Sequence, residues 1–316
     1  MNARAAPRRV RVPLTRRAGA LLALAAAAVS GLSVFLNEYA VKQAANSATY
    51  TTAKNLVAAL LLAAVAATLM RGGLSRSVRE LSRRQLLALL FIGVLGGGVA
   101  FALFFEGLRH TSATDAAFIQ KSLVVWVAIA AVPVLGERLG LGHLAAIALL
   151  VLGQVFLVGG ASGLGHAGGG QLMILLATLI WSGETIVARA LLRSLPSQLL
   201  AAARMLIGCA LLVLYLLASG QGHSLFALGA SGWIWVLVTG GLLTLYVTAW
   251  LAALARAPAI DVTAILVVGA FITALLDAAA GHSSLAPHAL GLALIVAGTA
   301  TMFTLTLRSR PRPAMA

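Results

Sequence analysis

What most constrains this chain is a succession of apolar stretches, each about 20 residues long and almost free of charge, joined by short connections. Inside a bilayer every backbone N–H and C=O must be paired within the segment, which leaves helices as the simplest way to use such stretches. Ten windows fit, at approximately 18–42, 49–70, 85–107, 111–134, 141–160, 170–192, 197–218, 231–252, 257–279 and 286–307. The expected fold is therefore all-α and integral to the membrane, with ten transmembrane helices and short tails at 1–17 and 308–316. Composition agrees, since 61% of the residues are apolar and 10% are charged, against about 25% charged in an ordinary soluble domain.

The formal net charge of +15 does not form the stripe expected of a nucleic-acid binder. Arg4, Arg8, Arg9, Arg11, Arg16 and Arg17 precede the first apolar run, five arginines lie from Arg71 to Arg84, and Arg308, Arg310 and Arg312 come near the end. Basic residues in these places mark cytoplasmic flanks of membrane helices. With a cytoplasmic N-terminus, Arg138, Arg189, Arg193 and Arg256 also fall inside, and the outer loops hold only Arg109 beside His110. An even helix count returns both tails to the cytoplasmic side of a cell inner membrane. The basic start also imitates a secretory signal, and Arg16-Arg17 a twin-arginine leader, but the apolar run continues to Val34 and Phe35, beyond a typical h-region. The single cysteine, Cys209, lies in an apolar run and has no intrachain partner for a disulfide.

Read against itself, the chain shows an ordered self-similarity. Ser30-Gly31 matches Ser182-Gly183, Lys54-Asn55-Leu56 matches Arg204-Met205-Leu206, and Gly96-Gly97 matches Gly240-Gly241. Leu108, Ala113 and Asp115 match Leu254, Ala259 and Asp261 at an offset of 146, and Gly136, His143 and Gly153 match Gly281, His288 and Gly298 at 145. A repeat of five spans is odd in number, so the second copy enters the membrane from the opposite side. Such inverted repeats underlie alternating access in secondary carriers.

At this point the chain resembles the drug/metabolite transporter superfamily, specifically its EamA-type 5+5 carriers. The resemblance covers about residues 18–307, as repeats 18–160 and 170–307. Its most specific piece is Pro133-Val134-Leu135-Gly136-Glu137-Arg138-Leu139, followed by Gly153 in span five; the Leu108–Asp115 segment is a second. The second half departs from this pattern: Gly281 is kept, but Glu137 is answered by His282, and no proline corresponds to Pro133. The resemblance implies a bundle with a central substrate cavity, often exporting amino acids or other metabolites.

An ionisable side chain near mid-bilayer costs roughly 2.5–3.5 kcal/mol, so each needs a partner, water or a role. Lys121, beside Gln120 in span four, is a candidate for binding a carboxylate-bearing substrate or for proton coupling; the plainer alternative is a lysine neutralised by a structural acid. Glu184, after Trp181 and Ser182 in span six, is a candidate proton acceptor or cation site, or the counter-charge of Lys121. Gln120 and Asn37 join these as candidate substrate contacts, as do Phe104, Trp126, Trp181 and Tyr246, whose rings can stack on a planar or cationic ligand; Trp250 fits that role or, with Trp233, an interfacial belt. Structural roles are expected for a Glu38–Lys54 ion pair, for Arg204 snorkelling to the interface, for Asp115 and Asp261 in first helical turns, and for Gly136 and Glu137 at a corner bonding nearby backbone.

No Walker loop, nucleophile elbow or metal-spaced His/Cys cluster is present, so no enzyme, cofactor or metal is expected. The leading reading is a secondary carrier, and an exporter, for a small-molecule substrate, with protons or another ion as coupling partner and the lipid bilayer around it. A non-transporting scaffold or sensor of the same fold and an intramembrane enzyme are the alternatives.

Overall fold

In the computed structural model the described residues are 16–44, 46–70, 73–157, 168–282, 286 and 289–308. The expectations placed on the first arginines, on Arg71, on His288 and on Arg310 and Arg312 lie outside them. Among the described residues the regular structure is entirely helical. We number the principal helices α1 (Arg16–Gln43), α2 (Ser47–Leu69), α3 (Arg83–Arg109), α4 (Ala113–Leu135), α5 (Leu141–Leu157), α6 (Gly169–Leu191), α7 (Ser197–Ala218), α8 (Ala230–Leu254), α9 (Ala259–Ala279) and α10 (Ala289–Arg308). All but α5 are long and apolar enough to cross a membrane; α5 has 17 residues and runs up to the undescribed stretch 158–167.

Local chemistry sets the ends. Asn46 caps α2 by accepting from the Ala48 N–H at 2.8 Å, Ser82 and Gln85 form a capping box at the start of α3, and Ser112 accepts from the Asp115 N–H at 3.0 Å at the start of α4. Gly136 closes α4 with φ of 67°, a left-handed conformation in which a side chain would be strained. Leucines such as Leu60, Leu214 and Leu245 point outward, while alanines including Ala20, Ala23 and Ala27 are fully buried. Small residues on the inside and large apolar ones outside fit helices that associate through close packing in lipid.

The packing follows one rule. Helix α1 packs on α8 and α9, and α6 packs on α3 and α4; α2 packs on α7, and α5 on α10. Moving every number by five turns each set into the other. The same rule holds for irregularities: α4 is interrupted at Ser122 and α9 at Leu266-Val267. In addition α3 carries a π-helical stretch, Ile92–Val99. Interrupted helices free backbone groups inside an apolar interior, and this is tolerated where protein or a cavity receives them.

Candidate functional site

The interruptions in α4 and α9 border a central cavity lined by α1–α4 of the first half and α6–α9 of the second. Seven of the eight residues expected to contact substrate line it: Lys121, Glu184, Gln120, Trp181, Phe104, Tyr246 and Asn37. The eighth, Trp126, does not line the cavity and is 40% exposed, because five residues at about 100° each put it on a different face of α4 from Lys121.

Glu184 does not meet Lys121. Its carboxylate forms an ion pair with Arg204 of α7, through both Nε and Nη2, and both side chains are buried. Arg204 therefore does not snorkel to an interface. Its guanidinium also donates to the Gly96 carbonyl at 3.2 Å, which accepts from Trp181 Nε1 as well at 3.0 Å. Gly96 lies inside the π stretch, and its oxygen, with two lone pairs, accepts both side-chain donors. Gly96 has to be small: a Cβ there would fall on the Glu184 carboxyl group. Depth counted from the start of α7 puts Arg204 within snorkelling reach of one interface, but a fork of five donors beside a buried carboxylate outweighs that option.

Lys121 reaches α1, where its ammonium donates to Ser30 Oγ at 2.8 Å, and it also donates to Gln120 Oε1 at 2.9 Å. Gly269 of α9 gives it room, since a Cβ there would stand 2.9 Å from Lys121 Cε. The expected Glu38–Lys54 pair does not form. Lys54 turns inward, donating to Asn37 Oδ1 at 3.0 Å and lying 3.6 Å from the centre of the Phe105 ring. Asn37 Oδ1 also accepts from the Tyr50 hydroxyl at 2.6 Å. The two repeat partners, Lys54 and Arg204, share the Phe101 ring, at 5.8 and 5.2 Å from its centre.

The cavity wall is aromatic. Trp181 packs against Phe101 and Phe104 with centroids 5.5 and 5.3 Å away, and Tyr246 stacks parallel to Trp250 at 6.1 Å. Phe101 and Phe105 are not among the residues that sequence reasoning selects. Their only signal is their place near Phe104 on the same helix.

Glu38 and Glu137 have related tasks at opposite ends of the bundle. Glu137 accepts from the backbone N–H groups of Ala259 and Ile260 at 2.7 and 3.0 Å, capping α9 from the far half of the chain. Glu38 accepts from the Ala113 N–H at 2.9 Å, capping α4, and pairs with Lys42 at 2.6 Å. His282 stands where a second glutamate would be and bonds Tyr39 and Asp277 instead. Asp115 is half-buried in the first turn of α4, and Asp261, in the first turn of α9, is buried with His143 Nε2 at 3.7 Å.

Two stretches, 17–159 and 168–304, each match the EamA-like transporter family. Nothing among the curated proteins matches the chain. A crystal structure of a protein, 22% identical in sequence, superposes with a TM-score of 0.71 over 92% of this chain and 98% of the other, a likeness of fold. Two family-matching halves that cover nearly the whole chain, together with apolar helices long enough to span a bilayer, make this a multi-pass membrane protein that belongs to the EamA-like transporter family.

Proposed function

We propose that the protein is a secondary carrier that moves a small metabolite or drug-like molecule across a bacterial inner membrane, in the export direction, by alternating access about the central cavity. The observation that carries this reading is the cavity itself, which lies between the two halves and next to the interruptions of α4 and α9. Carriers place their sites at such junctions of discontinuous helices. In this reading the chain crosses the membrane ten times as two inverted five-helix repeats, with both termini cytoplasmic. The packing rule that relates α1 to α6 and leaves the α2–α7 and α5–α10 contacts unchanged supports that arrangement.

Lys121, Gln120, Asn37, Phe104, Trp181 and Tyr246 serve as substrate contacts, and Glu184 with Arg204 as the polar floor beside them. The alternative of a non-transporting scaffold draws on the missing second Gly-Glu corner. Glu38 supplies a helix cap at the corresponding end of the bundle, which weakens that argument. The test is flux in proteoliposomes loaded with a mixture of small metabolites and drug-like cations. Release that requires the protein and stops in Lys121→Ala, at unchanged abundance and thermal stability, is the expected outcome; protein-independent release of every compound overturns the carrier reading.

A further inference from the structure

The charged groups around the cavity do not balance. Four side chains with a formal charge at neutral pH line it: Lys54, Lys121, Arg204 and Glu184. Arg204 is answered by Glu184, but among the described residues neither lysine takes part in an ion pair. Both lysines are buried, at 1% and 5% exposure, and their ammonium groups donate to neutral oxygens, those of Asn37, Ser30 and Gln120. The repeat sharpens the point. Placing Ser30-Gly31 on Ser182-Gly183 sets Glu184 opposite Leu32, which points outward at 36% exposure. The first half thus keeps the basic residue of the pair and lacks its carboxylate.

The two lysines are also arranged as a unit. Lys121 is held by Ser30 and Lys54 by Asn37, seven residues apart on one face of α1, or about 10 Å along the axis. Ser33 lies between them, lines the cavity, and bonds Asn37 Nδ2 through its Oγ at 2.9 Å. A polar track with a cation at each end therefore runs up one wall, and the rest of the lining is mostly aromatic and apolar apart from the Glu184–Arg204 pair, Thr185 and Thr263. A buried ammonium without a counter-charge is costly, and the neutral oxygens offset only part of that cost. A bound anion would supply the missing charge in a medium where Coulombic attraction is little screened, whereas a cation would meet two like charges.

We propose that Lys54 and Lys121 select an organic anion, a small carboxylic acid with an apolar or aromatic body, whose acid group lies along the Ser30–Asn37 track and whose body lies against Phe104, Trp181 and Trp250. Transport of that acid rests on the carrier reading above; its binding does not. The purified protein is titrated with phenylacetate, phenylacetamide and phenethylamine, which share a body and differ in charge, and with adipate. The expected result is that phenylacetate or adipate binds at least about ten-fold more tightly than the amide and the amine, and that Lys54→Gln and Lys121→Gln each weaken the acid about ten-fold, as loss of one charged hydrogen bond implies. Amine or amide binding as tight as the acid, or no binding of either acid, overturns the proposal without recourse to any variant. Flux of the same compounds in vesicles separates the two readings: an acid that binds and is not moved leaves the anion site and removes the carrier, and amine flux without acid binding does the reverse.

Discussion

Glu184 and Arg204 close a buried ion pair between α6 and α7, and the carboxylate occupies the space that a side chain on Gly96 would need. The pair is therefore joined to the π stretch of α3 by exclusion as well as by the hydrogen bond from Arg204 to the Gly96 carbonyl.

Breaking one side of that pair leaves an uncompensated buried charge. Glu184→Gln and Arg204→Leu should each destabilise the protein by about 3–5 kcal/mol, and the double variant should recover part of the loss, because it removes both charges together. Thermal unfolding of the purified protein measures this; additive losses would mean that the pair is not coupled.

Gly96 and Gly241 are both glycines of the repeated Gly-Gly element but differ in surroundings. A Cβ on Gly96 collides with Glu184, whereas one on Gly241 meets nothing within 4 Å. Gly96→Ala should cost about 1–3 kcal/mol through overpacking. Gly241→Ala should be neutral or gain up to about 1 kcal/mol from the better helix former. The two melting curves, taken side by side, check the contrast.

The helix caps predict an order of effects. Glu137→Ala strands two backbone N–H groups at the start of α9 and should cost about 1–2 kcal/mol, while Glu137→Gln keeps an acceptor and should cost less. Glu38→Ala strands one N–H at the start of α4 and releases Lys42, an exposed partner of little worth, so its cost should be the smaller of the two alanine changes. Chemical or thermal unfolding of the three variants gives the ranking. Equal losses for the two alanine changes would contradict it.

Topology gives a direct test of orientation. Ser75 lies in the short helix Leu74–Arg79 between α2 and α3, and Ser219 follows α7; both are exposed. In a background lacking Cys209, cysteines at these positions should label from opposite sides of the membrane, Ser75 from the cytoplasm. Labelling of both from one side would defeat the inverted arrangement.

Aromatic position separates wall from surface. Trp181→Ala should lower ligand affinity, whereas Trp126→Ala, on the outward side of α4, should leave it within about two-fold. A large effect at Trp126 in a binding titration would contradict its placement.

Much of the fold is legible in the chain itself, because apolar length is a local property. Approximate helix bounds and the Gly136 corner follow from residues close in sequence, and the matched halves from setting the chain against itself at an offset near 150. Lys121, Gln120, Asn37, Phe104, Trp181, Glu184 and Tyr246 stand out in the same way, since polar or aromatic groups inside apolar runs are conspicuous, and all seven line the cavity. Trp126 is equally conspicuous and lies outside it, because it sits about 140° round the helix from Lys121.

Partner choice is not legible. Whether Glu184 meets Lys121 or Arg204, and whether Lys54 meets Glu38 or Asn37, depends on helix rotation and on which helices are neighbours. Those are fixed by packing between residues far apart in the chain, as where Gly31 of α1 meets the Gly269 carbonyl of α9. Sequence alone thus dictates the apolar lengths of the helices and which of them carry charge. Which charges are neutralised is settled in three dimensions, because an ion pair needs two side chains within about 4 Å, and a rotation of one helix by a single residue, about 100°, is enough to remove it.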